Sequence, residues 1–197
     1  MVTPSYADGD GYFQIVYLME RAHDSLTAGL DSLLKQVLDD HSKDLANWLG
    51  YVGAWVTCVD HHHHAEETVL FPFFEAHGFH VTTELAQHQK LHQDLSKVQE
   101  LLDAPSAYEF EKLESLLRET NLEPYMTSDD LKQVIADFVA QGKDGDPFIN
   151  PVFMHFHTPP EHQGWYDLGY MNFVFYRLIL PLMSLRHSGY WKYAPFV

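Results

Sequence analysis

Cysteine is nearly absent. Cys58 stands alone, so no intrachain disulfide braces the chain, and a reducing, cytoplasmic setting is expected. Cationic side chains are scarce as well: 12 Lys and Arg stand against 28 Asp and Glu, for a formal net charge of −16. Such an acidic surface repels phosphate backbones and anionic headgroups, so neither nucleic acid nor membrane is an expected partner. Long hydrophobic runs are missing too. The most apolar late stretch, 173–185, carries Arg177 and Pro181 and is too short to span a bilayer. Residues 1–10 are polar, with no basic start and no apolar run, so no secretory leader is expected. No internal repeat is visible.

Against these absences stand 14 histidines. An apolar fraction of 46% and a charged fraction of 20% are ordinary for a folded protein, and 197 residues suit one domain with a full core. The apolar residues follow a helical period. Over 12–38, Met19, His23, Leu26, Leu30, Leu33 and Val37 form one stripe of a helix, with His23 inside the stripe. A second helix reads over 45–76 and ends near Gly78, with Pro72 bending or shortening its last turns. There Trp55, Val59, His62, Glu66, Val69 and Phe73 make one stripe. Shifted by one, Val56, His63, Glu67, Leu70 and Phe74 make another that fits nearly as well, and periodicity does not choose between them. A third helix reads over 83–103, with Leu85, His88, His92, Leu95, Gln99 and Leu102 on one face.

A short helix is expected over 107–119, and Thr127-Ser128-Asp129-Asp130 reads as the cap of another that runs to 140. After a glycine-rich turn at 142–147, the texture changes. Residues 150–164 are rich in proline and histidine and read as irregular chain with exposed histidines. A last helix over 170–185 is expected to be broken or ended by Pro181, and the aromatic tail from Tyr190 to Phe196 to pack on the domain. The organisation expected is thus a single all-α domain over 1–197, with a bundle core over 12–140 and a Pro- and aromatic-rich extension over 141–197.

Residues four apart on a helix share a face. His62 with Glu66, or His63 with Glu67, can therefore aim at one atom, and so can His88 and His92. Three helices each offer imidazole to the interior and one adds a carboxylate. Singly, each histidine has a bland explanation, since a lone core histidine such as His23 is usually just hydrogen-bonded. Together, so many buried polar groups without a shared partner would be costly, and a metal or proton-transfer cluster is the better reading. The run His61 to His64 spreads around a helix, so two of its four residues are expected inside; the rest, with His41, His77 and His80, belong at the surface or in loops. Mixed imidazole and carboxylate donors suit iron or manganese, and the lack of thiolates argues against structural zinc and iron–sulfur clusters.

The order His, His-x-x-x-Glu, His-x-x-x-His resembles the hemerythrin and HHE cation-binding family. It is carried here by His23-Asp24-Ser25-Leu26, by His62-His63-His64-Ala65-Glu66-Glu67 leading to Leu70-Phe71-Pro72, and by His88-Gln89-Lys90-Leu91-His92. Trp191-Lys192-Tyr193-Ala194-Pro195 and Asp146-Pro147-Phe148 resemble a subgroup of the family found in fungi. The resemblance implies an up-and-down four-helix bundle holding one or two iron ions, with His23, His62, Glu66, His88 and His92 as ligands and His63 and Glu67 as the alternative register. In the family a fourth helix bears a histidine followed by a carboxylate. Here 130–140 contains no histidine, and His162 with Asp167 has the spacing but lies among Pro159, Pro160 and Gly164. His155, His157, Glu161 and Asp137 are the candidate substitutes.

Three functions compete at this point. The first is a non-haem iron enzyme that activates dioxygen on a small molecule, with His63 and Glu67 as catalytic proton carriers. The second is a binder or sensor of oxygen, nitric oxide or iron. The third is a metal-free acid–base enzyme, catalysing a cyclisation, isomerisation or dehydration with the same histidines. Aromatic residues including Phe153, Phe156, Trp165, Tyr166, Tyr170, Phe173 and Tyr176 favour a substrate pocket and hence an enzyme.

Overall fold

Among the described residues the first helix is capped by Asp10, whose side chain accepts the Phe13 N–H at 2.9 Å and so satisfies one of the free donors of the first turn. The computed structural model describes residues 10–103, 146, 148–164 and 171–197, and all regular structure among these residues is helical. Helix α1 spans Gly11–Gln36 and α2 spans Leu45–Ala65. A wide π turn, Glu66–Leu70, joins α2 to α3, Phe71–Ala76. Helix α4 spans Thr82–Asp103. The short segments 107–119 and 130–140 lie outside the described residues, as do Asp137, Trp165, Tyr166, Asp167 and Tyr170.

Proline explains the π turn. Pro72 has no N–H to give and its ring crowds the carbonyl four residues back, so an ordinary turn cannot pass through it. The chain widens instead: the Phe71 N–H reaches back to the Glu66 carbonyl, and the helix then continues to Ala76. The same device recurs before Pro181. Asn172–Val174 (α6) leads into a π turn at Phe175–Ile179, and α7 follows over Leu180–Ser184. Each proline thus widens its helix and does not end it. The stop comes at Gly78, with φ +86. Its N–H reaches the Glu75 carbonyl while the Phe79 N–H reaches Phe74, and the Phe74 and Phe79 rings meet at 6.1 Å.

Short connections lead from α1 to α2 and from α3 to α4, and α2 packs against both α1 and α4. Trp55 Nε1 donates to the Leu26 carbonyl at 2.9 Å, and Trp48 lies beyond it toward the α1–α2 connection. The segment read as irregular is in part a helix, α5, Asn150–His157. It packs against α1 and α2: Phe153 meets Gly29 and Trp55, His157 meets Tyr51, and Thr158 Oγ1 lies 3.0 Å from Ser25 Oγ. Gly29 is required here because a β-carbon would come within 2.6 Å of the Phe153 ring.

The tail is tied down as expected. Trp191, in the short helix α8 (Ser188–Trp191), is buried. The Tyr193 carbonyl accepts from Ser32 Oγ at 2.6 Å and Gln36 Nε2 at 2.9 Å, and Asp44 pairs with Lys192 and accepts the Tyr193 hydroxyl.

Two apolar layers result. The larger contains Leu26, Leu33, Trp48, Trp55, Val59, Leu91, Leu95, Phe153 and Trp191; the smaller contains Ile15, Leu18, Met19, Leu70, Phe71, Phe74 and Val81. Each fully buried side chain of this size contributes roughly 1.5–3 kcal/mol. No helix among the described residues is long and apolar enough to cross a membrane.

Candidate metal centre

Between the two layers the interior turns polar. On α1, His23 follows Leu18 and Met19 and precedes Leu26. At the end of α2 and the start of the π turn, His62, His63 and Glu66 lie between Val59 and Leu70, and on α4, His88 lies between Leu85 and Leu91. His62, His63 and Glu66 are buried, and His23 and His88 nearly so.

Glu66 is the centre. Its Oε1 lies 3.4 Å from His62 Nε2 and 3.8 Å from His23 Nε2, while Oε2 lies 3.5 Å from His88 Nε2. Donor atoms of His23, His62 and Glu66 form one close group, and those of His63, Glu66 and His88 form a second, each within 4.8 Å. These gaps exceed an ordinary hydrogen bond of about 2.9 Å. Two ligand atoms that share one ion about 2.1 Å away stand about 3.0–3.4 Å apart, so the His62 gap fits that spacing, the His88 gap lies just beyond it and the His23 gap is wider.

Both registers of the second helix are in use. Glu66 lies four residues after His62 and three after His63, so one carboxylate meets both rings. His23 has its Nδ1 buried without a hydrogen-bond partner. His63 donates Nδ1–H to the Val59 carbonyl at 2.8 Å, which leaves the Nε2 lone pair as its inward face.

Burial lowers His23 to about 4, with the neighbouring His62 adding to the effect, and it lowers His63 to about 3. Both rings are therefore neutral at pH 7, the form in which imidazole binds a metal. Burial alone would raise the carboxyl of Glu66, but His62, His63 and His23 outweigh it and hold the group below the ordinary carboxylate range. An ionised carboxylate beside the neutral rings of His23 and His63 is a donor set that fits iron or another borderline divalent cation.

The remaining expected residues stand outside these groups. Glu67 Oε1 accepts from His88 Nδ1 at 3.0 Å and from His92 Nε2 at 2.9 Å, and His92 Nδ1 donates to Asp60 Oδ1 at 3.0 Å. His92 is thus not brought into either group. Asp60 was missed in the sequence, although it precedes Glu67 by two helical turns and shares its face.

Of the substitutes for the fourth-helix pair, His157 is fully buried but belongs to another cluster. It accepts the Tyr51 hydroxyl through Nε2 at 2.7 Å and donates Nδ1–H to the Phe153 carbonyl at 2.7 Å. His155 packs near Tyr176, Glu161 is exposed, and His162 sits in the turn after α5. His41, expected at the surface, is buried and stacked on Trp48 at 4.0 Å; His77 and His80 are exposed as expected. The aromatic set read as a pocket lining divides: Phe153 belongs to the core and Phe173 is exposed.

A model of the hemerythrin HHE cation-binding domain matches residues 14–137. Comparison with curated proteins and with solved structures gave no match.

Proposed function

The chain belongs to the hemerythrin HHE cation-binding family, and on that footing we propose that it is a non-haem iron protein that activates dioxygen for the oxidation of a small organic molecule. One observation supports this reading above others. Each donor group consists of two imidazoles and one carboxylate, the set that non-haem iron oxygenases use to hold the metal by one face and leave the other open.

His23, His62 and Glu66 would hold one position and His63, Glu66 and His88 a second, so the shared carboxylate serves a single ion or a pair. Ferrous iron held there would relay electrons to dioxygen, with the organic substrate and an external reductant supplying the balance. The Val59 carbonyl and Glu67 fix the ring orientations of His63 and His88, and the apolar layers on both sides keep bulk water from the polar level. We place the protein in the cytoplasm, with dioxygen and a small molecule as its partners.

A second reading, reversible binding or sensing of a diatomic gas, draws on the position of the site between two apolar layers. The test is anaerobic reduction of the iron-loaded protein followed by exposure to oxygen, with the optical spectrum and oxygen uptake recorded together. Turnover of reductant beyond one oxygen per centre supports the enzyme, and a spectrum that reverses under vacuum supports the binder. An iron-replete protein that stays silent in both measurements overturns both.

A further inference from the structure

Tyr51 and His157 form a buried titratable pair that the cation centre does not use. Both are fully enclosed. The Tyr51 hydroxyl donates to His157 Nε2 at 2.7 Å, and His157 Nδ1–H is held by the Phe153 carbonyl. No organic substrate reaches a pair closed in this way, so its part in any chemistry is limited to passing an electron or a proton. It lies within a continuous run of rings. Toward the centre, His157 stacks on Phe153 at 3.8 Å and Phe153 meets Trp55 across Gly29. The Trp55 indole is tied to the Leu26 carbonyl, one turn of α1 from His23. Toward the surface, Tyr51 lies 5.8 Å from the ring of the partly exposed Tyr193, whose hydroxyl donates to the Asp44 carboxylate.

We propose that Tyr51, with His157 as its proton acceptor, carries strongly oxidising equivalents from the cation centre to the surface through Tyr193. The inference rests on the dioxygen-activating reading, which supplies the oxidant: a dioxygen-derived species left at the centre when no organic substrate is there to take it. Tyr51 gives one electron toward the centre and its phenol proton to His157 Nε2, leaving a neutral tyrosyl radical beside an imidazolium ion. Tyr193 then gives an electron to Tyr51, His157 returns the proton, and the Tyr193 proton passes to Asp44. A soluble one-electron reductant refills Tyr193, and Asp44 hands its proton back. Each cycle thus moves one electron from the reductant to the centre and no net proton.

The geometry suits the role. Burial pushes the Tyr51 phenol above its ordinary range, although the Ser32 hydroxyl works the other way, so the resting group keeps its proton. Once oxidised it must shed that proton, and the Nε2 lone pair of His157 already faces it. Burial lowers His157 to about 4, so the imidazolium readily gives the proton back when the electron arrives. Trp55 stands seven residues before His62 on α2 and Tyr51 four more, about 10 and 16 Å along the axis, so the rings divide one long electron jump into short ones.

Two measurements test this. The first needs no metal: a flash-generated ruthenium(III) polypyridyl complex withdraws one electron from the protein under argon, and tyrosyl radicals are followed by transient absorption and EPR. Wild type is expected to show a long-lived radical that Tyr51→Phe lacks. His157→Gln, whose amide accepts a hydrogen bond but no proton, is expected to form it about 100-fold more slowly. Tyr193→Phe, without the surface phenol, is expected to slow its formation as well. The second mixes ferrous-loaded protein with oxygen in the absence of organic substrate and freezes the mixture. Wild type is expected to show the same radical. Tyr51→Phe is expected to show none, and to carry more oxidation in the α2 peptide that holds Trp55, His62 and His63, read by mass spectrometry.

Photogenerated radicals that match between wild type and Tyr51→Phe in amount and lifetime overturn the proposal. So does a His157→Gln that forms the radical as fast as wild type, or a Tyr51→Phe whose α2 peptide is no more oxidised than that of wild type. A ferrous-loaded wild type that does not react with oxygen ends the dioxygen reading, and the flash experiment then decides by itself whether the pair is redox-active.

Discussion

His157 makes acidification a sharp probe of the fold. It is fully buried between the Phe153 ring at 3.8 Å and the Tyr51 ring at 5.7 Å. Burial lowers it from the ordinary 6.5 to about 4, although its bond to the Phe153 carbonyl works slightly the other way. A histidine depressed in the folded state binds its proton more readily when unfolded. Its contribution is therefore fully present above 6.5 and is lost as pH falls from there toward 4. At 1.36 kcal/mol per pH unit, the loss between pH 7 and pH 5 is about 2 kcal/mol, and it approaches about 3 kcal/mol below pH 4.

His157→Gln keeps polar atoms in the same place but does not titrate. At pH 7 the variant is expected to be less stable than wild type by about 1–2 kcal/mol, through lost ring packing and an imperfect bond to Tyr51. At pH 5 that gap should close or reverse, because only wild type has lost the histidine contribution. Urea unfolding of both proteins at pH 5, 6 and 7, followed by circular dichroism, measures the difference directly. His23 and His63 titrate equally in both chains and cancel. Two stability curves running parallel from pH 7 to pH 5 would refute the reasoning, since they would mean that His157 is not held neutral.

Two other substitutions test the packing. Gly29→Ala places a β-carbon 2.6 Å from Phe153 Cζ and 2.7 Å from Trp55 Cδ1, so it should destabilise the fold by about 1–3 kcal/mol in urea unfolding. An unchanged midpoint would mean that α5 does not press on α1 there. Trp191→Ala removes a side chain only 2% exposed, and about 3–5 kcal/mol of stability should go with it. A melting temperature within a degree or two of wild type would show that the tail is not part of the core.

The main helices were legible because their apolar stripes are long and regular. Met19 to Val37 in α1 and the Gly78 stop after α3 needed no tertiary information. The choice between His62–Glu66 and His63–Glu67 was not legible as posed, because the structure takes one carboxylate and both histidines. A stripe argument assigns each residue to one register, whereas Glu66 serves two rings three and four positions back. Pro72 signalled a disturbance, but whether a proline ends, kinks or widens a helix depends on what the residues on either side of it can bury, here Phe71 and Phe74. The helix over Asn150–His157 was hidden by its proline and histidines, since Pro151 is acceptable at a helix start and His157 is buried only through its match to Tyr51. His41 was missed for a similar reason: its stacking on Trp48 is a pairing across the α1–α2 connection that local composition does not reveal.

The central claim is that one carboxylate, Glu66, joins two groups of imidazoles into a cation centre. Elemental analysis of protein purified without a metal-chelating resin, and again after anaerobic loading with ferrous iron, tests it most directly when wild type is compared with Glu66→Ala. The account predicts one or two iron ions per chain in wild type and loss of all of them in Glu66→Ala, with the helical content unchanged. Iron retained in Glu66→Ala, or a loaded wild type that holds none, would contradict it.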